Sequence, residues 1–213
     1  MHNTKHSQPP QDTPGAPPAS AHVARMQRKK ALIDARIATA QTERGILIVN
    51  TGNGKGKSTA AFGLVARALG HGQQVAVIQF VKSRTDTGEE ACLRRFPQIA
   101  WHVMGEGFTW ETQDETRDAL AAQAAWQTAC RYLADPAIQL VVLDEFTYAF
   151  KHGWLEIADV LAILQARPPM QHVVITGRAA PQSLIDAADT VTEMKLTKHA
   201  YTQGVAAMPG IEW

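Results

Sequence analysis

The residues most able to do chemistry lie in residues 50–59, which read NTGNGKGKST. Glycines in such a loop let the main chain approach an anion closely, and an ammonium such as that of Lys57 can bind phosphate oxygens. The hydroxyl of Ser58 can bind Mg²⁺, and Lys55 adds a second cation within the loop. We therefore predict a nucleotide site. Its predicted ATP-binding residues are Gly52, Asn53, Gly54, Lys55, Gly56, Lys57, Ser58 and Thr59.

The spacing of this loop departs from the usual phosphate-binding pattern, which has four residues between its first glycine and the Gly-Lys-Ser/Thr. Gly52 and Gly56 are separated by three residues, and Thr51 occupies the position of the first glycine. The departure predicts an altered loop shape. A surface turn rich in Gly and Lys is the structural alternative, but a short apolar run before the loop and a helical pattern after it favour the phosphate site.

A second candidate is the segment LVVLDEF, residues 140–146, which ends an apolar run in two acids, Asp144 and Glu145. Ligands of open α/β sheets bind at the carboxyl ends of the strands, where a carboxylate can hold the Mg²⁺ that bridges phosphates. We predict Ser58 and one of these two acids as metal ligands. An exposed acidic turn is the alternative.

The third candidate is the aromatic segment MGEGFTWET, residues 104–112, in which Phe108 and Trp110 flank Thr109. It follows a predicted strand and is expected to open onto the same sheet edge as the phosphate loop. The two aromatic side chains either cover a flat apolar ligand or fold back into the core.

These candidates require a parallel sheet that brings several strand ends together. Continuous apolar runs that alternate with helical patterns predict an α/β fold of the P-loop NTPase-like, RecA-type class, with helices on both faces. Ala60, Leu64 and Ala68 are predicted to share one helix face. The predicted strands are residues 45–50, 74–80, 99–104, 138–146, 172–177 and 190–196, and the predicted helices are residues 57–72, 113–134, 156–167 and 180–189.

The chain of 213 residues is long enough for one domain, predicted at residues 45–213, with an extension. Residues 1–21 are polar and rich in proline, which predicts a disordered leader. Residues 22–44 have apolar side chains at three- and four-residue steps among several basic ones, which predicts an amphipathic helix. This arm either covers an anionic ligand or a partner subunit, or is a solvated helix.

Composition excludes several classes of protein. A net charge of +1 argues against a nucleic-acid partner. The two cysteines lack metal-site spacing, which argues against a zinc site and a disulfide framework. Apolar runs fall short of the roughly 20 residues that span a bilayer, and the first residues lack a signal-peptide core, so we expect a cytoplasmic protein without membrane contact.

The sequence resembles the family of P-loop corrinoid adenosyltransferases, which act on cob(I)alamin or cob(I)yrinic acid a,c-diamide. The resemblance covers residues 45–213. The matching motifs, in family order, are TGNGKGKSTAAFG, QFVK, GEGFTWET, LVVLDEFTYAF, VVITGRAAP and KHAYTQGVAAMPGIEW.

The resemblance implies transfer of the 5′-deoxyadenosyl group of ATP to the Co(I) of a reduced corrinoid, with triphosphate as the leaving group. It implies that the short loop is a family trait, that Lys55 and Lys57 are catalytic, and that the metal is Mg²⁺ or Mn²⁺. Phe108 and Trp110 would bind the corrin ring. The helical arm would cover the corrinoid site, and in a homodimer it would cover the site of the partner subunit. A flavodoxin-like protein is an expected reductant.

Two other functions stay open on the residues alone. One is a P-loop phosphotransferase such as a nucleoside kinase, which would release ADP. The other is a nucleotide-binding regulatory module without catalysis, which would not explain the aromatic segment. Arg178, just past a predicted strand, either contacts phosphate or is structural, and His199 is the histidine nearest to the family-like tail.

Overall fold

The computed structural model describes residues 19–81, 87–105 and 115–212. The chain divides into two compact units, residues 1–43 and residues 44–213. In the first unit, helix α1 (Ala19–Thr39) begins three residues before the predicted arm and ends five residues before its predicted end. Lys30 and Asp34 form an ion pair of 2.7 Å one turn apart, and the apolar side chains at Val23, Met26, Ile33 and Ile37 are exposed.

The second unit alternates strands and helices, as the apolar runs predicted. Its elements are β1 (Leu47–Thr51), α2 (Lys57–Gly70), β2 (Val75–Gln79), α3 (Gly88–Leu93), β3 (Ile99–Val103), α4 (Glu115–Leu133), β4 (Leu140–Asp144), α5 (Tyr148–Lys151), α6 (Ile157–Ala166), β5 (His172–Thr176), α7 (Gln182–Ala187), β6 (Thr190–Glu193) and the 3₁₀ turn η1 (Ala200–Gln203).

The described strands form one sheet in the order β3-β2-β4-β5-β1-β6, and every adjacent pair is parallel. The predicted α/β class with a parallel sheet is confirmed. Strands β2, β4 and β5 are largely apolar and buried because helices cover both faces of the sheet, whereas the edge strand β6 is polar and exposed. Since β4, β5 and β1 are neighbours, the loops that follow them emerge side by side at one edge of the sheet, which is where ligands of open α/β sheets bind.

Alternate strand residues contribute to two cores, one on each face. Val75 and Val77 pack with α2 and α3, whereas Ala76 and Ile78 pack with α4, α6 and α7. This period of two is the geometry of an extended strand.

The buried face of α2 differs from the predicted one. Ala68 is buried as expected and Leu64 is partly buried, but Ala60 is exposed. The buried residues of α2 are Ala61, Phe62, Val65, Ala68 and Leu69. In the part of the chain that the structure describes, no helix is long and apolar enough to cross a membrane.

Candidate functional site

The loop between β1 and α2 has a backbone that requires glycine at two positions. Gly52 has φ of 95°, and a Cβ there would lie 2.5 Å from the carbonyl oxygen of Met194. Gly56 has φ of 107° and is the N-cap residue of α2, which begins at Lys57. The first turn of a helix carries amides without partners inside the helix, so this loop presents a helix N-terminus to any anion in front of it.

Thr51 explains the unusual spacing. It is the last residue of β1, is buried, and pairs in register with Glu193 of β6. Its carbonyl accepts a hydrogen bond from the Met194 amide at 2.8 Å, and its hydroxyl accepts one from the Ala180 amide at 3.2 Å. The strand therefore continues through the position where the usual loop has its first glycine, and the hydroxyl ties β1 to the segment after β5.

A cleft of about 670 Å³ opens at the edge where β1, β4 and β5 end. Its lining combines four basic side chains with three acidic ones. The basic residues are Lys55, Lys57, Lys151 and Arg178, the acidic residues are Glu89, Glu145 and Glu212, and the remaining lining residues are Gly54, Gly56, Ser58, Thr59, Tyr148, Gly177 and Ile211.

Lys57, the first residue of α2, lines this cleft and is partly buried. Its ammonium donates a hydrogen bond to the carbonyl of Gly54 at 2.7 Å. The pKa of Lys57 is lowered, first by burial and then by Arg178, while Glu145 and Asp144 act in the opposite direction. The two cations line the same cleft, and an anion bound there would stabilise their charged forms.

Other residues of the loop anchor it to the chain after β6 or line the cleft. The amide of Gly54 donates to the Met194 carbonyl at 2.7 Å, so this amide fastens the loop to the chain after β6. Gly52 and Asn53 lie in the loop but do not line the described cleft, and Asn53 is exposed. Gly54, Lys55, Gly56, Lys57, Ser58 and Thr59 do line it.

The two neighbouring acids at the end of β4 have different surroundings. Asp144 is fully buried, and its two carboxylate oxygens accept hydrogen bonds from Gln79 at 3.0 Å and from the Thr176 hydroxyl at 2.7 Å. The Trp101 indole donates to Gln79 at 3.0 Å and fixes that amide in turn. Glu145 lines the cleft. Asp144 thus joins β2, β4 and β5, and Glu145 faces the ligand space.

Glu145 has φ of 58°, in the left-handed region that costs a non-glycine residue on the order of 1–3 kcal/mol. Its amide donates to the Thr176 hydroxyl at 2.9 Å, which compensates part of that cost. Ala179, with φ of 50°, is strained in the same way beside Arg178. The Thr147 hydroxyl donates to the Arg178 carbonyl at 2.7 Å and links the two strained segments.

The residues fit a divalent metal bound together with phosphates. Mg²⁺ prefers oxygen ligands and is usually bound by one or two carboxylates plus substrate phosphates and water. Ser58 and Glu145 supply a hydroxyl and a carboxylate on the same cleft. Among the described residues, no group of three His, Cys, Asp or Glu could hold a metal alone, so phosphate oxygens would have to complete the set.

Phe108 and Trp110 lie outside the described residues. The last described residue before them, Gly105, packs against the backbone of Val81, just past the end of β2.

Several lining residues were not predicted. Tyr148 and Lys151 belong to α5, a helix too short for its periodicity to be recognised, and Glu89 belongs to the similarly short α3. Glu212 lies about 150 residues after the loop, and only its place in a family-like motif marked it. Arg178 lines the cleft, whereas the imidazole of His199 accepts a hydrogen bond from the Tyr201 amide at 3.1 Å and begins η1.

Comparisons with known proteins add an independent observation. Residues 43–213 match the family described as "ATP:corrinoid adenosyltransferase BtuR/CobO/CobP", and residues 15–37 match "Cob(I)alamin adenosyltransferase N terminal". A corrinoid adenosyltransferase of Pseudomonas aeruginosa is 61% identical over 193 residues, which are 90% of this chain and 95% of the relative. Corrinoid adenosyltransferase CobA of Salmonella typhimurium is 49% identical over 189 residues, which are 89% of this chain and 96% of the relative.

Among solved structures, the flagellar accessory protein FlaH of Methanocaldococcus jannaschii has a TM-score of 0.52 at 14% identity. The match covers 76% of this chain and 75% of that one. At this identity the likeness concerns the fold alone.

Proposed function

The chain belongs to the family of ATP:corrinoid adenosyltransferases, and we propose that the cleft at the ends of β1, β4 and β5 holds the triphosphate of its ATP. The protein is an enzyme that transfers the adenosyl group of ATP to a corrinoid. One observation carries the assignment of the cleft, namely the convergence of Lys55, Lys57, Lys151 and Arg178 on the N-terminus of α2.

The chemistry explains why four cationic side chains line the cleft. We propose that the Co(I) of the reduced corrinoid attacks C5′ of ATP, so that the cobalt–carbon bond forms as the C5′–oxygen bond breaks. The electron pair of the broken bond leaves with triphosphate, the product that distinguishes this reaction from phosphoryl transfer. Cationic side chains placed beforehand around a developing anion lower the barrier. Lys57, Lys55 and the first amides of α2 supply that stabilisation in our proposal.

The corrinoid supplies the nucleophile, so the protein contributes binding, orientation and electrostatics. Holding cobalt and C5′ in line is the second contribution, since orientation alone can account for a large part of a rate enhancement. No nucleophilic side chain of the protein is required by this scheme.

We assign Ser58 and Glu145 as the metal ligands of the protein, with Mg²⁺ or Mn²⁺ as the metal. When bound, the metal would neutralise charge on the phosphate oxygens. Asp144 becomes a positioning residue in this assignment, because it is fully buried and its carboxylate binds Gln79 and Thr176, whereas Glu145 lines the cleft. Its role is to hold the end of β4 so that Glu145 faces the cleft.

Phe108 and Trp110 are the proposed corrinoid contacts. Apolar bulk against the lower face of the ring would displace an axial ligand and make Co(II) easier to reduce. We expect Phe108→Ala and Trp110→Ala to impair Co(II) reduction in the complex while ATP binding persists. Unchanged reduction in both variants would remove this part of the proposal.

The experiment that tests the assignment of the cleft is Lys57→Met. Loss of one preset cation should lower kcat/KM for ATP by about 10²- to 10³-fold, the range found when one oxyanion donor is removed. Arg67→Met is the matched control, since Arg67 is an exposed cation in the last turn of the same helix. Equal effects of the two substitutions, or normal turnover in Lys57→Met, would contradict the assignment.

A further inference from the structure

The C-terminal tail, residues 204–212, folds back onto the cleft. After η1 the chain turns at Gly210, with φ of 81°, and the amides of Ile211 and Glu212 both donate to the carbonyl of Met208, at 3.3 and 2.9 Å. This turn brings Ile211 and Glu212 into the wall of the cleft. Two residues at the very end of the described chain therefore border the proposed triphosphate site.

The contact that the tail makes there is an ion pair. The carboxylate of Glu212 accepts a hydrogen bond from the ammonium of Lys55 in the phosphate loop. The side chain of Glu212 is 26% exposed and that of Lys55 is 49% exposed, so the pair lies at the mouth of the cleft. Carboxylate and phosphate oxygens bind a lysine ammonium in the same way, as charge-assisted hydrogen bonds.

A phosphate chain bound in the cleft would compete with this carboxylate for Lys55. Polyphosphate and Glu212 carry like charge, and like charges held at contact distance repel. Retaining the Glu212 contact would leave Lys55 partly neutralised and place an anion beside the incoming phosphates. The remaining cations of the cleft, Lys57, Lys151 and Arg178, would then have to bind the phosphates alone.

We propose that Glu212 competes with triphosphate for Lys55. The tail holds Lys55 when the cleft is free of phosphate, releases it when a polyphosphate binds, and takes it back as the product leaves. The proposal rests on the proposed function in one respect, that the cleft is where triphosphate binds. It adds a residue of the chain terminus that sets the affinity for ATP and for the leaving group.

Calorimetric titration of the full-length protein with inorganic tripolyphosphate tests the competition without corrinoid or turnover. Glu212→Gln keeps the size of the side chain and removes its charge. It should lower the Kd for tripolyphosphate about threefold, the size expected for loss of an exposed ion pair. Lys55→Met should weaken binding, and adding Glu212→Gln to Lys55→Met should change the Kd no further, because coupled residues are not additive.

Glu193→Gln is the matched control for a general effect of charge, since Glu193 is an exposed carboxylate whose side chain packs beside Gly52. We expect it to leave the Kd nearly unchanged. An unchanged or raised Kd in Glu212→Gln would overturn the proposal, as would an equal gain in Glu193→Gln or a gain that survives Lys55→Met. If the wild-type protein bound no tripolyphosphate, the phosphate site would fail and this proposal with it. Failure of adenosyl transfer alone would leave the titration intact.

Discussion

At the residue scale, Asp144 and Glu145 are adjacent and chemically alike, but their different surroundings give them different roles. Asp144 has no exposed surface and two hydrogen-bond donors, so its charge is used within the fold. Glu145 adopts a strained backbone that turns it towards the cleft. Strained residues of this kind tend to lie at functional sites, where the surrounding structure holds them in place.

This difference predicts opposite consequences of two conservative substitutions. Glu145→Gln should raise the Mg²⁺ concentration needed for half-maximal adenosyl transfer by about tenfold or more and leave the unfolding free energy nearly unchanged. Asp144→Asn places an amide group against a donor and should lower the unfolding free energy by about 1–3 kcal/mol. Metal titrations and urea unfolding of both variants measure the two effects. A stability loss confined to Glu145→Gln would reverse the assignment.

Thr51 carries a second residue-scale prediction. Thr51→Val keeps the shape of the side chain but leaves the Ala180 amide without its acceptor, so the unfolding free energy should fall by about 1–2 kcal/mol. Thr192→Val, an exposed substitution in the neighbouring strand β6, is the control and should be nearly neutral. Equal stability of the two variants in urea would show that the hydroxyl does not tie the loop to the segment after β5.

At the element scale, a set of hydrogen bonds joins two strands at the edge of the sheet where the strands begin, opposite the cleft. Asp189, just before β6, accepts two hydrogen bonds from Arg44 at 2.6 and 3.0 Å and one from the Leu47 amide at 2.8 Å. The Arg44 hydrogen bonds are the main cause that lowers the pKa of Asp189 to about 2, from an ordinary value of 3.8. The contacts join the starts of β1 and β6 and so hold the strand that leads into the loop proposed to bind phosphate.

These contacts predict a pH-dependent stability. A carboxyl whose pKa is lower in the folded state stabilises the protein fully above its unfolded pKa, and the contribution is lost as pH falls from about 4 towards about 2. Asp189→Asn should therefore lower the unfolding free energy at pH 7 by about 1 kcal/mol after solvent screening is considered. The difference in unfolding free energy between Asp189→Asn and wild type should become smaller below pH 4. Urea unfolding at pH 7, 4 and 3 measures it, and a constant gap would contradict this account.

The elements differ in how far the sequence predicts them. β2, β4 and β5 are buried along almost their whole length, and the apolar runs within them predicted them as strands. Helix α2 begins at the predicted residue and ends two residues before its predicted end, and Ala60, predicted on the face shared with Leu64 and Ala68, is exposed. The short helices α3 and α5 have too few residues for a helical period, so Glu89, Tyr148 and Lys151 were not predicted as site residues, although Tyr148 lies within the family-like motif LVVLDEFTYAF.

The candidate site was predictable where a local motif carries the chemistry and less so where the fold assembles it. Lys55, Lys57 and Ser58 were recognised from their loop, and they line the cleft. The sequence could not distinguish Asp144 from Glu145, because the difference depends on Gln79 and Thr176, which come from other strands. The approach of Glu212 depends on a turn far along the chain.

At the scale of the whole molecule, the N-terminal arm α1 is the element whose role depends on a partner. The apolar side chains of α1 are exposed, with Ile33 at 46% and Ile37 at 65% of full exposure. The family resemblance assigns this arm to the corrinoid site of a partner subunit, and a homodimer stays our prediction. So do the flavodoxin-like reductant and the cytoplasmic location.

The arm can be tested in the full-length chain. Replacing both Ile33 and Ile37 by Lys should leave ATP binding unchanged, shift the protein towards monomer and lower adenosyl transfer by about tenfold or more. Ala35→Lys, on the opposite face of the helix, is the control. Light scattering, ATP titration and turnover measure the three quantities. Undiminished turnover in the double variant would exclude a role of this face in the reaction.

The most direct test of the account concerns the leaving group. The wild-type protein is incubated with ATP, Mg²⁺ and a chemically reduced corrinoid, and both products are quantified over time. We predict a light-sensitive cobalt–carbon product and inorganic triphosphate in equal amounts, with both reduced together in Lys57→Met. Formation of ADP in place of triphosphate, or a cobalt–carbon product that Lys57→Met leaves undiminished, would contradict a cleft built to hold triphosphate as it departs.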